Sequence, residues 1–338
     1  MCKQHILFII LLFLLYFIQC EKPAEIIMTV TGPVATPDTG YILEHEHLLV
    51  DFIGARETGY HRWSRDSVIT RVLPFLAEAH SLGVEMIFDA TPAFLGRDPL
   101  LLKQLSELSG MLIVTNTGYY GAMQNKYLPD DFYRSSIDDI AQKWITEWKN
   151  GIENTGIRPG FIKIAVDTTA TLSGEHQKLI RVAARTHLQT GLTIASHTGP
   201  DGPALSQLKI LSEEGVSPEA FVWVHAQDGT FEGYLKAVSQ GAWLSLDNVS
   251  ADSSAIADLV FRLIQLKNKK YLNQVLISHD AGWYQVGEKG GGEFRGFKDI
   301  FEHLIPELKK QGFSRDEIDQ LLIKNPLQAF KIKVRALK

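Results

Sequence analysis

Cysteine is scarce in this sequence of 338 residues: Cys2 and Cys20 are the only two, and both lie in the first twenty residues. Removal of that segment would leave no disulfide to stabilise the fold, even in an oxidising compartment. No stretch of Lys and Arg residues forms a basic stripe. In total, 34 Lys and Arg residues are outnumbered by 39 Asp and Glu residues. We therefore expect no nucleic-acid partner. Stability must come from a hydrophobic core, for which a hydrophobic content of 45% is ordinary.

Linkers and phosphate loops are also missing. Beyond residue 25 the sequence has no low-complexity segment and no Pro/Ser-rich linker, which favours a single domain over residues 26–335. No Gly-x-Gly-x-x-Gly motif follows the first strand-like run. This absence argues against a doubly wound sheet that binds a dinucleotide.

The most continuous apolar run, residues 6–18, lies near the N-terminus and follows Lys3. It is too short to span a bilayer comfortably, for which ~20 residues are needed. A positive start and a short apolar stretch predict an export signal at residues 1–20, and hence a periplasmic or extracellular protein. Cys20 ends the run as in a lipoprotein signal, although residues 17–19 lack the usual small side chains. Lipid attachment at Cys20 and an uncleaved anchor stay open as alternatives.

Short apolar runs alternate with amphipathic stretches along the rest of the chain. The strand-like runs are residues 42–45, 86–90, 112–115, 161–166, 192–196, 221–225, 242–246 and 274–279. Helical periodicity occurs between them, for example over residues 66–82. Eight strands alternating with helices predict an α/β fold, the (β/α)8 TIM barrel. We also expect a short N-terminal hairpin over residues 27–36 and extra helices between residues 300 and 330.

Side chains that can bind metals recur at the C-terminal ends of these strands, where TIM barrels have their active sites. They are His45, His47, Lys163, His197, His225 and Asp280. His45 and His47 are two residues apart, so both point to the same side of an extended chain. Two imidazoles on one side form a pair of metal ligands. Chance surface histidines are the alternative for this pair taken alone.

Lys163 interrupts the apolar run Phe-Ile-Lys-Ile-Ala-Val at residues 161–166. Burying a lysine is costly unless it is paired or its pKa falls far enough to leave it neutral. A neutral amine can react with carbon dioxide to give a carbamate, N6-carboxylysine, which can bridge two cations. A lysine in a salt bridge and a Schiff-base lysine are the alternatives.

Four histidines, a carbamate and a carboxylate suit two divalent ions. Zinc fits this set best, and manganese or cobalt is feasible. Two such ions, ~3.5–4 Å apart, activate water and polarise a carbonyl or phosphoryl oxygen. Asp280 can bind one ion and accept a proton from the nucleophile. Its alternative role is to cap the following segment.

The sequence resembles the phosphotriesterase family of the amidohydrolase superfamily, which includes lactonases. The shared motifs cover nearly the whole chain after the N-terminal segment and lie at residues 40–48, 116–119, 160–164, 196–198, 225–228, 278–283 and 325–326. The resemblance implies that His45, His47 and Asp280 bind the more buried metal. It likewise implies that His197 and His225 bind the more exposed metal. Carbamylated Lys163 would bridge the two ions, with a bridging hydroxide as the nucleophile.

One departure from the family lies at the end of strand seven. Phosphotriesterases have a histidine in place of Asn248, and many lactonases have an arginine. The proton relay that the family implies, from Asp280 through that histidine to Asp228, is therefore incomplete, although Asp228 itself is present. Residues that follow strand ends are candidates for the substrate pocket, with core packing as the alternative for the aromatic ones: Tyr119, Tyr120, Asn248 and Trp283.

The sequence therefore predicts a metal-dependent hydrolase of small ester-like molecules: carboxylic esters, lactones or phosphotriesters. Contact with a membrane is expected only through the signal or a lipid, and a homodimer is compatible with the sequence. A one-metal deaminase is disfavoured because no glutamate closely follows His197. The remaining alternative is an exported metal-binding protein of the same fold without catalytic turnover.

Overall fold

A computed structural model describes residues 25–35, 40–169 and 171–337. The predicted export signal and Cys20 lie outside these residues. Within the described ranges, no helix is long and apolar enough to cross a membrane.

The centre of the fold is a barrel of parallel strands, preceded by an antiparallel hairpin of β1 (Ile26–Thr29) and β2 (Gly32–Ala35). The barrel strands are β3 (Tyr41–Val50), β4 (Val84–Asp89), β5 (Leu112–Val114), β6 (Asn116–Thr117), β7 (Phe161–Ala165), β8 (Ile194–His197), β9 (Phe221–Val224), β10 (Trp243–Leu246) and β11 (Val275–Ile277). Neighbouring strands pair in the orders β3-β4-β5 and β6 through β11. β5 and β6 are the two halves of the third strand, which is interrupted at Thr115.

The barrel closes between its first and eighth strands. The amide of His47 donates to the carbonyl of Ala281 over 2.8 Å, and the amide of Asp280 donates to the carbonyl of His45 over 3.1 Å. A further strand, β12 (Gly282–Gln285), runs parallel to the outer end of β3. The predicted TIM barrel is confirmed, with β3 extending five residues further than the predicted run, to Val50.

Helices surround the barrel strands. They are α1 (Arg65–Ser81), α2 (Pro99–Ser109), α3 (Asp130–Arg134), α4 (Ile137–Asn150), α5 (Gly174–Thr190), α6 (Asp201–Glu213), α7 (Phe231–Val238), α8 (Ser253–Asn268), α9 (Ile305–Lys310), α10 (Arg315–Asp319) and α11 (Asn325–Phe330). Ser173 caps α5 by accepting a hydrogen bond from the amide of His176 over 3.1 Å. The predicted C-terminal helices are present, and π-helical turns at Ile300–Leu304 and Gln320–Lys324 precede α9 and α11.

The lower part of the barrel interior is apolar. Its buried side chains include Ile42, Met86, Phe88, Val114, Phe161, Val222 and Leu276. A larger apolar cluster fills the space between the strands and the helices. Since apolar side chains close the barrel floor, the pocket of ligand-capable side chains lies at the C-terminal ends of the strands.

Candidate metal centre

The structure brings six predicted side chains together in one pocket. They are His45, His47, Lys163, His197, His225 and Asp280. His197 ends its strand, and His225 and Asp280 follow theirs. His45 and His47 lie within β3, and Lys163 is the middle residue of β7. The register of β3 against β4 shifts between Leu43 and Glu46, next to the two histidines.

The polar atoms of these side chains lie close to one another. On the more buried side, Asp280 Oδ1 is 3.2 Å from His47 Nε2 and 3.7 Å from His45 Nε2. Lys163 Nζ is 3.0 Å from the same His45 Nε2. On the other side, His225 Nε2 is 2.7 Å from His197 Nδ1. His45, His47 and Asp280 are near enough to one another to hold one metal ion.

Two local features fit a metal at this place. Asp280 Oδ1 is buried and has no hydrogen-bond partner of good geometry among the described residues, although His47 Nε2 lies 3.2 Å away. Asp280 and His225 also have left-handed backbones, with φ of 50° and 59°. Such conformations are costly outside glycine and concentrate at functional sites. Imidazole and carboxylate donors are the ligands that zinc prefers.

Burial sets the protonation of the nitrogen donors. It is the main cause that lowers the pKa of His45 to about 4, with the Lys163 charge adding to it. Burial, followed by His225, likewise lowers the pKa of His197. Burial also lowers the pKa of Lys163, which favours the neutral amine that carbamylation requires. His45 and His197 are therefore neutral at neutral pH and present lone pairs to the pocket, and burial shifts Lys163 in the same direction.

For Asp280 and His225, neighbouring charges outweigh the effect of burial on the pKa. Burial acts to raise the pKa of Asp280, but the neighbouring histidines outweigh it and hold that pKa below its usual range. Burial acts to lower the pKa of His225, but the carboxylate of Asp247 outweighs it, and the net shift is upward. The Asp280 side chain is therefore an ionised carboxylate at neutral pH.

Asp247 is a buried carboxylate that the sequence analysis did not assign to the site. Its Oδ2 accepts a hydrogen bond from His45 Nδ1 and its Oδ1 accepts one from His225 Nδ1, both over 2.8 Å. These bonds hold the Nδ1 edge of both rings against Asp247 and turn the Nε2 atoms towards Lys163 and His197, on the side of the pocket where a metal would bind. Asp247, His45 and His225 are also close enough to hold an ion, but the hydrogen bonds already occupy the atoms concerned. We therefore assign Asp247 the role of orienting the imidazoles of His45 and His225.

A polar residue directly after an apolar strand was the signal that identified Asp280, and Asp247 carries the same signal. Thr91 has a related role, since its Oγ1 lies 2.7 Å from His47 Nδ1. It follows the second strand, β4, by two residues. Both residues orient imidazoles that face the pocket.

Comparison with known proteins agrees with the fold. Residues 25–330 match the model described as the phosphotriesterase family. The chain belongs to the phosphotriesterase family. Since named members are hydrolases, the protein is a phosphotriesterase-family hydrolase.

Two sequence relatives and one solved structure illustrate the similarity. An aryldialkylphosphatase of Saccharolobus solfataricus is 30% identical over 310 residues, which cover 88% of this chain and 96% of the relative. A phosphotriesterase homology protein of Escherichia coli is 27% identical over 295 residues, covering 87% and 98%. The structure of an organophosphorus hydrolase from Deinococcus radiodurans matches with a TM-score of 0.80 at 24% identity, covering 91% and 98%. At that identity the structural match shows the shared fold alone.

Two of the predicted pocket residues of this phosphotriesterase-family chain line the metal pocket, and one aromatic residue does not. The hydroxyl of Tyr120 is 3.2 Å from His197 Nδ1, and the ring of Trp283 packs against that of His47 at 5.3 Å. The pocket prediction is wrong for Tyr119, which packs outward against Trp144 of α4. Consecutive residues of an extended chain point to opposite sides, so Tyr119 and Tyr120 cannot share one pocket.

Asn248 and Asp228, the two positions at which the relay would continue beyond Asp280, lie apart from the metal pocket. Asn248 is exposed and lines a separate cavity with Asp258 and Arg262, so its assignment to the substrate pocket is wrong. Asp228 is exposed as well, and no hydrogen bond joins it to Asp280 within the described residues. Asp228 ends a 3-10 turn, Ala226–Asp228, that follows β9, and Asn248 lies two residues after β10, so both are beyond the strands that carry the pocket side chains.

The sequence analysis also missed the apolar wall of the pocket. Its side chains are Val50, Phe52, Leu95, Met123 and Tyr127. They come from the end of β3 and from the loops after the second and third strands. No sequence pattern marks them, because apolar residues in loops are common and only the fold places them beside the histidines.

Proposed function

We propose that this protein is a binuclear zinc hydrolase of neutral carboxylic esters, lactones or phosphotriesters, with manganese or cobalt as substitutes. His45, His47 and Asp280 would hold the more buried ion. His197 and His225 would hold the more exposed ion, and a carbamate on Lys163 would bind both. The observation that carries the proposal is the convergence of these side chains around a buried Asp280 oxygen that has no hydrogen-bond donor.

Two divalent cations in this site would lower the pKa of a bound water molecule towards neutrality. They would also polarise the carbonyl or phosphoryl oxygen of a substrate. Asp280 is the carboxylate that lines the pocket in the described part of the chain, and we assign it to accept the proton of the attacking water. Tyr120 presents its hydroxyl beside His197. Burial, helped by the charge of Asp280, raises the pKa of Tyr120, so the phenol stays protonated and can donate to a substrate oxygen.

The first expected result concerns metal content. Protein produced with ample metal should contain about two divalent ions per chain by elemental analysis. His225→Ala should lose the more exposed ion preferentially. The matched control His303→Ala replaces a partly exposed histidine on the turn before α9 and should keep both ions. One ion or fewer in the metal-replete wild type would contradict the binuclear assignment.

The second expected result concerns the charge of the substrate. The described residues that line the pocket include no arginine, and their one lysine is Lys163. A substrate anion in the apolar part would lose its hydration without gaining a counter-ion. We therefore expect kcat/KM for 4-nitrophenyl butyrate to exceed that for mono-4-nitrophenyl succinate by at least about 100-fold. Equal values for these esters of matched length would show that the wall does not select against charge.

The proposed activity itself is tested by a screen of metal-reconstituted protein on aryl esters, lactones and phosphotriesters. Turnover that depends on added metal supports it. Full metal occupancy without turnover on any of the three classes would favour the alternative, a metal-binding protein of the same fold.

A further inference from the structure

A buried chain of hydrogen bonds lies directly beneath the metal-binding histidines. It links Glu44 on β3 with Ser245 and Asp247 at the end of β10. Glu44 is 2% exposed, and the other two residues are fully buried. Ser245 Oγ contacts Glu44 Oε1 and lies 2.8 Å from Asp247 Oδ2. None of the three residues lines the pocket, so their role is indirect.

The number of available hydrogens determines which group donates in each hydrogen bond of this chain. The hydroxyl of Ser245 has one hydrogen but contacts two carboxyl groups, so one of these groups must supply the second hydrogen. Asp247 already accepts hydrogen bonds from His45, His225 and Gln227. Glu44 is therefore the donor to Ser245, and Ser245 donates to Asp247.

Asp247 connects the two halves of the metal centre. One of its oxygens contacts His45, from the buried side, and the other contacts His225, from the exposed side. A rotation of this carboxylate would displace both imidazoles at once. The bond from Ser245 to Oδ2 restricts that rotation, and Glu44 fixes the orientation of the serine hydroxyl.

We propose that Glu44 is a positioning residue that acts through Ser245 and Asp247 on His45 and His225, so that the affinities of the two metal sites are set together. The proposal rests on the metal binding of the proposed function and not on its substrate. Its rival is a direct electrostatic action of Glu44 on Lys163. The two routes differ in whether Ser245 is needed.

The experiment measures the affinity of both sites for zinc by chelator competition, together with the visible spectrum of the cobalt-substituted protein. Asp247→Asn should weaken both sites about 10- to 100-fold, as expected for loss of a group that orients ligands. Ser245→Ala and Glu44→Leu should each weaken both sites about 2- to 10-fold, the range for one hydrogen bond. Each should also shift the cobalt spectrum. Glu44→Gln should stay within about twofold of wild type, because its amide can donate to Ser245.

The double variant Glu44→Leu/Ser245→Ala decides between the two routes. If Glu44 acts through Ser245, the double variant is no weaker than Ser245→Ala alone. The control Ser106→Ala removes another buried serine hydrogen bond, to the carbonyl of Met111 beyond the end of α2. It should lower stability to a similar degree and leave zinc affinity unchanged, which separates positioning from general destabilisation.

Several results would overturn the proposal. A double variant showing the product of the two single effects would support direct action on Lys163. A Glu44→Gln variant as weak as Glu44→Leu, or loss of affinity at one site alone, would reject it as well. If Glu44→Leu does not fold, the other two variants still test the proposal. Unchanged zinc affinity in Ser245→Ala would contradict it, and so would a large loss of zinc affinity in Glu44→Gln. Normal zinc binding without turnover would reject the proposed function and leave this inference intact.

Discussion

Replacing Lys163 with alanine is expected to lower metal-dependent hydrolysis at least about 100-fold and to weaken both metal sites. Lys163 is 1% exposed, and its Nζ is 3.0 Å from His45 Nε2. The variant removes the arm that would carry the bridging carbamate. Groups that only orient metal ligands already contribute about 10- to 100-fold, so loss of a ligand shared by both ions should exceed that range. The control Lys103→Ala changes a half-exposed lysine of α2 and should behave as wild type.

Small carboxylates should partly restore the Lys163→Ala variant. The lost group is chemically a carboxylate, so millimolar formate or acetate can occupy the vacated volume and bind the ions. A Schiff-base lysine predicts instead that borohydride with substrate inactivates the wild type and that carboxylates do not rescue. A lysine held in a salt bridge predicts that Lys163→Met keeps two ions and substantial activity. Active two-metal enzyme without carbon dioxide added at Lys163, by mass spectrometry, would contradict our assignment.

Replacing Asp280 with asparagine is expected to lower kcat by about 10²- to 10⁴-fold at saturating metal, the usual contribution of a general base. Asparagine keeps an oxygen that can bind the buried ion but cannot accept a proton at neutral pH. The strained backbone at Asp280 and the hydrogen bond from its amide to His45 do not depend on the side chain, so the site should stay assembled.

The control for this variant is Asp66→Asn, which makes the same chemical change at an exposed position in the first turn of α1. It should leave kcat unchanged. Metal content must be measured in parallel, because loss of the buried ion would also lower kcat. A fully loaded Asp280→Asn enzyme within about tenfold of wild type would show that another group accepts the proton.

Asp247 would link the two proposed metal sites without being a ligand of either ion. The carboxylate has no access to the pocket, yet it contacts one imidazole on each side. Its burial is compensated by several donors, and the positive charge that His225 can carry holds the pKa of Asp247 low against the opposing effect of burial. A buried carboxylate with this many partners is costly to disturb, which makes it suited to fixing ligand geometry.

The sequence by itself determined the barrel and the six ligand-capable side chains. Apolar runs at strand spacing indicate burial, and a histidine, lysine or aspartate inside or at the end of such a run is conspicuous because burying it is costly. Parallel strands bring their C-terminal ends to one face of the barrel, so the position of each residue along its strand was sufficient to predict that the six would meet.

Only the tertiary structure decided which side chains surround that site. Tyr119 and Tyr120 are adjacent in the sequence, yet the direction of the third strand sends one into the helix layer and the other into the pocket. Asn248 and the apolar wall depend on the paths of loops, which local sequence does not fix. The contact between Glu44 and Ser245 joins residues 201 positions apart. Strand order and register bring such residues together, and these are properties of the closed barrel rather than of any local segment.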